Sequence, residues 1–90
     1  MENRSLVKIK ISHKETGLPA AGYSVDIIDL PNSDGDRITD SNGDLKPFYI
    51  DMNNYIYADV LVRDPDDNII AEAYGQYPLT IPETIIHIEL

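Results

Sequence analysis

The sequence predicts an all-β fold: a two-layer antiparallel β-sandwich of about seven strands in one domain spanning residues 1–90. Short segments alternate apolar and polar side chains, and clusters of turn-forming residues separate them at short intervals. No segment of ten or more residues shows a helical repeat. A domain of this size has a thin core. We expect residues 1–5 to be a flexible N-terminal segment.

The fold is organised around a polar turn, Thr-Asp-Ser-Asn-Gly-Asp-Leu, at residues 39–45. Asn42-Gly43 is a favoured pair for a two-residue hairpin turn, because such a turn requires positive φ. We expect a short strand at residues 37–39 to enter the turn and a strand at residues 45–50 to leave it. Pro47 lacks an N–H donor, so it requires an edge position or a bulge.

Two further strands are predicted before this turn. Residues 6–12 alternate strictly, and Lys8 and Lys10 on the wet side favour an edge strand. Residues 23–29 form the second strand, and the Pro-, Asn- and Gly-containing residues 30–36 form a loop.

After the turn, residues 55–63 are predicted to be the longest strand and a central one. The Asp-Pro-Asp-Asp segment at 64–67 favours a type I turn, and a four-residue turn sets Val62 opposite Ile69 and Tyr57 opposite Tyr74. The last strand is residues 84–90. The predicted core is Val7, Ile9, Ile11, Val25, Ile27, Ile38, Ile56, Ala58, Val60, Val62, Ile86 and Ile88.

Composition excludes several function classes. The net charge is −9, and only residues 1–14 carry a positive balance, so a nucleic-acid partner is not expected. The absence of Cys excludes disulfides, thiolate metal sites and cysteine nucleophiles. No apolar run approaches the roughly 20 residues of a membrane span, and no signal peptide is recognisable. We expect a protein made without a signal or a piece of a longer one.

The histidines give no catalytic signature, and we do not expect an enzyme. His13 falls in a turn and His87 on the outer face of a strand, and the two approach each other only if the first and last strands pair. A nucleophilic triad needs a Ser beside a His that a carboxylate orients, and a zinc site needs three or four ligands.

Acidic loop residues suggest a calcium site. Asp34, Asp36, Asp40, Asn42 and Asp44 place four carboxylates and an amide within 11 residues, and calcium prefers such oxygen ligands. The spacing does not match a twelve-residue EF-hand loop, and Asp and Asn are also ordinary turn residues. A second, weaker group is Asp64, Asp66 and Asp67.

Four tyrosines suggest a partner-binding face: Tyr55, Tyr57, Tyr74 and Tyr77. Aromatic rings with a polar tip suit protein interfaces and sugar platforms, although the same rings could be buried. Pairing of a partner's strand with the edge of the first or last strand is a further option, and Lys8 and Lys10 would there favour an acidic partner.

Three segments in order resemble the carboxypeptidase regulatory-like, or transthyretin-like, β-sandwich family. They are the entry with Thr16-Gly17-Leu18-Pro19, Gly22 and Val25, the turn at 39–45, and the Tyr-rich residues 55–60. The resemblance covers about residues 6–63. The chain departs from it at Asp44-Leu45 after the turn glycine, and in the acidic segment 64–67. Hydroxyisourate hydrolases of the same fold end in a Tyr-Arg-Gly-Ser-type tail, which this sequence lacks.

The resemblance implies a non-catalytic accessory or docking unit, as found beside metallocarboxypeptidases, on outer-membrane receptors and on bacterial secretion spikes. We therefore expect an adaptor module that binds another protein within a larger secreted or surface-associated bacterial assembly, with no cofactor. The alternative is a carbohydrate- or cell-surface-binding module assisted by calcium.

Overall fold

The computed structural model describes residues 3–27 and 37–90, which form six β-strands and no helix. None of these residues belongs to a helix that could cross a membrane. The strands are β1 (Arg4–Ser12), β2 (Ser24–Ile27), β3 (Phe48–Asp51), β4 (Val60–Arg63), β5 (Ile69–Ala73) and β6 (Glu83–Glu89). The all-β prediction is confirmed.

The strands form two three-stranded sheets, ordered β3-β1-β6 and β2-β4-β5. Three of the pairings are antiparallel, but β1 and β6 run parallel, with Ile9 opposite Ile86. The prediction of an antiparallel arrangement throughout is therefore wrong at this pair. Alternation of apolar and polar side chains is the same for either direction, so the sequence pattern carries no information about it.

Strand β1 is the middle strand of its sheet, so the predicted edge position is wrong. Its inward side chains are buried as expected, while Lys8 and Lys10 project from the outer face. Lysines suit any solvent-facing side of a sheet, whether the strand is central or at an edge. The strand also includes Arg4 and Ser5 of the N-terminal segment predicted to be flexible, and Ser5 is fully buried with its Oγ 2.6 Å from Thr84 Oγ1.

Side chains from both sheets contribute to one hydrophobic core. Most of the predicted core is confirmed, but Ile38 and Ile56 are 55% and 73% exposed. Residues 37–39 only bridge to β2 through Ile38, and Ile56 precedes β4, so neither follows the alternation of a regular strand. The buried apolar side chains are Val7, Ile9, Ile11, Ala20, Val25, Ile27, Leu45, Ile50, Ala58, Val60, Val62, Ala73, Leu79, Ile86 and Ile88.

Residues 37–45 pass from one sheet to the other. The N–H of Thr39 donates to the carbonyl of Tyr23 beside β2, whereas the N–H of Leu45 donates to the carbonyl of Ile9 on β1. Between them, the N–H of Gly43 donates to the carbonyl of Asp40 (2.9 Å), so Ser41 and Asn42 are the central turn residues. Gly43 follows with φ +77°. The predicted two-residue turn centred on Asn42-Gly43 is wrong by one position.

The β4–β5 hairpin repeats this turn geometry. The N–H of Asp67 donates to the carbonyl of Asp64, and Asp67 has a φ of +69°. Val62 lies opposite Ala71, not Ile69 as predicted, because the turn is followed by a left-handed residue and the ladder shifts between Val62 and Arg63. The central place of β4 is confirmed, but the strand has four residues where nine were predicted.

Candidate functional site

A groove of about 750 Å³ lies on the outer face of the β3-β1-β6 sheet. Residues 38–47 form one wall, β6 forms the other, and β1 forms the floor. Its apolar lining is Ile9, Ile38, Leu45, Pro47, Ile85 and Ile86, and its polar lining is Lys8, Lys10, Asp40, Asp44, Lys46 and His87. Pockets of roughly 300–1,000 Å³ with an apolar lining and a few polar groups are typical binding sites.

Two ion pairs on the floor point in opposite directions. Lys8 Nζ lies 2.9 Å from a carboxylate oxygen of Glu83 on β6, while Lys10 Nζ lies 3.6 Å from Asp44 on the opposite wall. All four side chains are between 39% and 49% exposed. Such solvent-accessible pairs contribute only about 0–1 kcal/mol, so a ligand carboxylate can replace either acidic partner at low cost.

The wall at residues 43–47 owes its shape to a bulge. Val7 lies opposite Phe48 and Lys10 lies opposite Asp44, so two residues of β1 face three residues ending at Pro47. Pro47 cannot donate to a ladder, and the expectation that it needs an edge or a bulge is confirmed. Beneath the wall Leu45 is buried, while Ile38 stays exposed at the mouth of the groove.

His87 lies at one side of the groove and is oriented by Ser12. Its Nε2 is 2.8 Å from Ser12 Oγ, which is largely buried. His13 instead packs edge-on against Tyr23, with ring centroids 5.8 Å apart. The pairing of β1 with β6 therefore brings His87 to Ser12 rather than to His13. Within residues 3–27 and 37–90 no carboxylate hydrogen-bonds to His87. Among these residues Ser12 and His87 therefore lack the orienting carboxylate of a nucleophilic triad.

Two of the predicted calcium ligands, Asp40 and Asp44, make a set of backbone hydrogen bonds and an ion pair within the protein. The Oδ1 of Asp40 accepts hydrogen bonds from the backbone N–H groups of Asn42 (2.8 Å) and Asp44 (3.0 Å), and Asp44 pairs with Lys10. Asp34 and Asp36 lie outside the described residues. Among the residues that the structure describes, no group of three or more His, Asp or Glu side chains could hold a metal ion.

The second acidic group forms part of the β4–β5 turn. Asp64 Oδ1 accepts hydrogen bonds from the backbone N–H groups of Asn68 and Asp66, each at 2.9 Å. The backbone hydrogen bond from Asn68, followed by the hydrogen bonds from the Asn68 side chain and the Asp66 backbone, lowers the pKa of the Asp64 carboxyl. Asp67 lies 3.6 Å from Arg63 Nε. These contacts stabilise the turn between β4 and β5.

The four tyrosines do not share one environment. Tyr57 and Tyr74 are 45% and 53% exposed, whereas Tyr55 and Tyr77 are half-buried against the core. Tyr57 bridges to Pro78 and does not lie opposite Tyr74 as predicted. The structure thus splits the predicted face into two exposed and two core-packed rings.

The groove was not predicted because its residues come from three separate stretches of sequence. Each stretch carried a signal: lysines alternating along β1, a proline after the glycine turn, and Ile85 and His87 on the outer side of the last strand. Only the parallel pairing of β1 with β6 and the bulge before Phe48 bring them together.

These features define an all-β domain of two three-stranded sheets with a mixed cationic and apolar groove on one outer face. Comparisons with protein-family models, curated proteins and solved structures found no match. The resemblance to the carboxypeptidase regulatory-like family stays a prediction.

Proposed function

We propose that this chain is a non-catalytic docking module that binds another protein through the groove on the β3-β1-β6 sheet. The observation that carries the proposal is the composition of the groove. Ile38 and Ile85, which are 55% and 71% exposed, stand on opposite walls, and Lys8 and Lys10 lie between them. An apolar anchor flanked by carboxylates fits this arrangement.

Burial of the apolar groove side chains against the partner supplies the favourable free energy of binding. Each square ångström of apolar surface removed from water contributes about 25 cal/mol, and exposed isoleucines offer much such surface. The lysines add selectivity, because the chain carries a net charge of −9 and these cations stand out from an acidic surface. Carboxylates of the partner would take the places of Glu83 and Asp44 beside Lys8 and Lys10.

The role we propose is that of an accessory or adaptor unit in a larger secreted or surface-associated bacterial assembly. It follows from the family resemblance of residues 6–63. We also propose that the two sheets pack as a β-sandwich of the transthyretin-like class. Two observations support this: both sheets contribute to one core, and residues 37–39 bridge to β2 as a short additional strand.

Carbohydrate binding is the second candidate, and the exposed rings of Tyr57 and Tyr74 favour it. Aromatic faces of this kind stack on sugars. A screen on a glycan array distinguishes the candidates, because reproducible glycan hits lost on Tyr57→Ala would replace the docking proposal.

The docking proposal is tested in two stages. Tagged protein first captures partners from the source cells, and the enriched protein is then purified and titrated by calorimetry. Ile38→Asp, in the groove, should weaken the measured affinity at least about 30-fold, as for an interface hot spot. Ile56→Asp, an exposed isoleucine that does not line the groove, is the matched control and should leave affinity unchanged. Loss of binding in Tyr57→Ala with full binding in Ile38→Asp would contradict the groove assignment.

A further inference from the structure

The outer edge of β6 carries a row of hydrogen-bonding groups directed away from β1. The N–H of Leu6 donates to the carbonyl of Pro82, and the N–H of Leu90 donates to the carbonyl of Ser12. In a parallel ladder every second residue bonds to its neighbour, so the even-numbered residues of β6 face β1. The backbone groups of Glu83, Ile85, His87 and Glu89 therefore point to the other edge, where no described strand pairs with them. The carbonyl of Glu83 accepts a hydrogen bond from the Thr80 hydroxyl and keeps its second lone pair.

This edge has few of the features that prevent strand addition. Edge strands usually avoid pairing through Lys, Pro or bulges, and β6 contains none of these over its seven residues. Ile85, near its middle, is 71% exposed, one of the largest exposed fractions among the hydrophobic side chains described. Burying such a side chain on a new neighbour strand is favourable.

We infer that β6 pairs antiparallel with β6 of a second copy of this chain, about a two-fold axis beside Ile85. Antiparallel pairing makes the contact self-complementary, as a two-fold dimer requires. The outward-pointing backbone groups allow symmetric registers centred on residues 85, 86 or 87. The side chains that face each other across the axis select among these three.

The register centred on Ile85 is favoured because it places apolar side chains opposite each other and no two carboxylates opposite each other. In it Ile85 faces Ile85 of the second copy, and Glu83 faces His87 of the second copy on both sides of the axis. The register centred on residue 86 sets Glu83 opposite Glu89 twice, and like charges directly opposite are destabilising. The register centred on residue 87 sets Ile85 opposite Glu89 and the two copies of His87 opposite each other.

The dimer joins two three-stranded sheets into one six-stranded sheet. Because Lys8 lies beside Ile85 in the β1–β6 register, one row across the joined sheet reads Lys8, Ile85, Ile85, Lys8. The outer faces of both copies become continuous, so their grooves open on the same side. This arrangement does not depend on the proposed protein docking.

The chain has no cysteine, so single cysteines can report the register directly. A hydrogen-bonded antiparallel pair has Cα atoms about 5.5 Å apart, within the range of about 4.4–6.8 Å that a disulfide spans. Mild oxidation should convert most of an Ile85→Cys variant into covalent dimer. In this register the two copies of residue 87 are about 14 Å apart along the strands, so His87→Cys should not cross-link. Ile56→Cys, at 73% exposure, is the control for random collision.

Light scattering and sedimentation equilibrium on the unmodified chain should give twice the chain mass. Ile85→Pro should give the single-chain mass, because its lost N–H points away from β1 and the fold keeps its own ladder. Ile85→Thr, which retains the N–H and β-branching, should stay dimeric, and so should Ile38→Asp, which separates this inference from the docking proposal. A monomeric unmodified chain, or equal cross-linking of Ile85→Cys and Ile56→Cys, would overturn the inference. Preferential cross-linking of His87→Cys would overturn the register.

Discussion

Gly43 lies so close to the main chain of Ile11 that a Cβ added to it would come within 2.3 Å of the Ile11 carbonyl oxygen. The same Cβ would lie 3.2 Å from Ala20 N, and Gly43 has a φ of +77°. The N–H of Ile11 also donates to the carbonyl of Gly43 (2.8 Å). This contact joins the turn at 40–43 to β1 and shapes the upper wall of the groove.

Gly43→Ala should therefore be among the most destabilising substitutions in the chain. The left-handed backbone and the clash with a main-chain oxygen together should cost more than about 3 kcal/mol in unfolding free energy. Gly17→Ala is the matched control, because Gly17 has a φ of +72° and nothing within 4 Å of an added Cβ. It should cost about 1 kcal/mol. Urea denaturation followed by circular dichroism measures both, and equal losses would contradict a role for the close approach.

Thr39 links the same crossing segment to two backbone groups. Its Oγ1 donates to the carbonyl of Ala20 (2.6 Å) and accepts from the N–H of Tyr23 (3.0 Å), and the residue is 4% exposed. Thr39→Val keeps the shape but leaves both groups without this partner, which should cost about 2–4 kcal/mol. Thr16→Val, at an exposed position where the hydroxyl accepts a hydrogen bond from the Leu18 N–H (3.2 Å), should cost less than about 1 kcal/mol. Similar urea midpoints for the two variants would argue against this account.

Asp64 should make folding stability depend on acidity. Its pKa is lowered in the folded state, so its stabilising contribution is present above the ordinary value of 3.8 and is lost as pH falls through the lower folded value. We expect the urea midpoint of Asp64→Asn to fall less than that of the unmodified chain between about pH 5 and pH 2. Asp66→Asn is the control, since the Asp66 carboxylate accepts none of the hydrogen bonds that close the turn. Parallel pH profiles for the unmodified chain and Asp64→Asn would refute the prediction.

Substitution of a core-packed tyrosine should lower the free energy of unfolding more than substitution of an exposed one. Tyr77 packs against the core, so Tyr77→Ala should cost about 2 kcal/mol or more, whereas Tyr57→Ala should cost less than about 1 kcal/mol. Thermal unfolding measures the difference. Acrylamide quenching of the single-tyrosine fluorescence contributions, obtained from Tyr→Phe variants, should be stronger for Tyr57 than for Tyr77. The reverse order would contradict the burial described above.

Local sequence patterns predicted correctly those elements whose structure depends on side-chain alternation or on a single proline. The alternation in residues 6–12 predicted the buried side of β1, and Pro47 predicted the bulge, because a missing N–H has few permitted places. The same patterns failed at Ile38 and Ile56, which continue an apolar alternation but lie outside regular strands. Alternation predicts burial only where a ladder holds the backbone in phase with the core, and neither residue lies in such a ladder.

The candidate site was much less predictable than the fold. Residue type predicted Asp40, Asn42 and Asp44 as metal ligands and four tyrosines as a binding face. In the structure, the Asp40 carboxylate instead accepts backbone hydrogen bonds, and two of the tyrosines pack against the core. The groove depends on which strands become neighbours. Its lining residues Lys10, Asp44 and His87 are distant in sequence and adjacent only after folding.

The sequence alone determined that this chain is all-β, where its main turns lie and which side of β1, β4 and β6 is buried, because side-chain period and turn chemistry act between near neighbours. Tertiary structure decided the rest. The middle place of β1, its parallel pairing with β6, the edge position of β6 among the described strands and the groove all follow from contacts between distant segments. Such contacts form where burial of both sheets in one core is most favourable, and no local pattern encodes that choice.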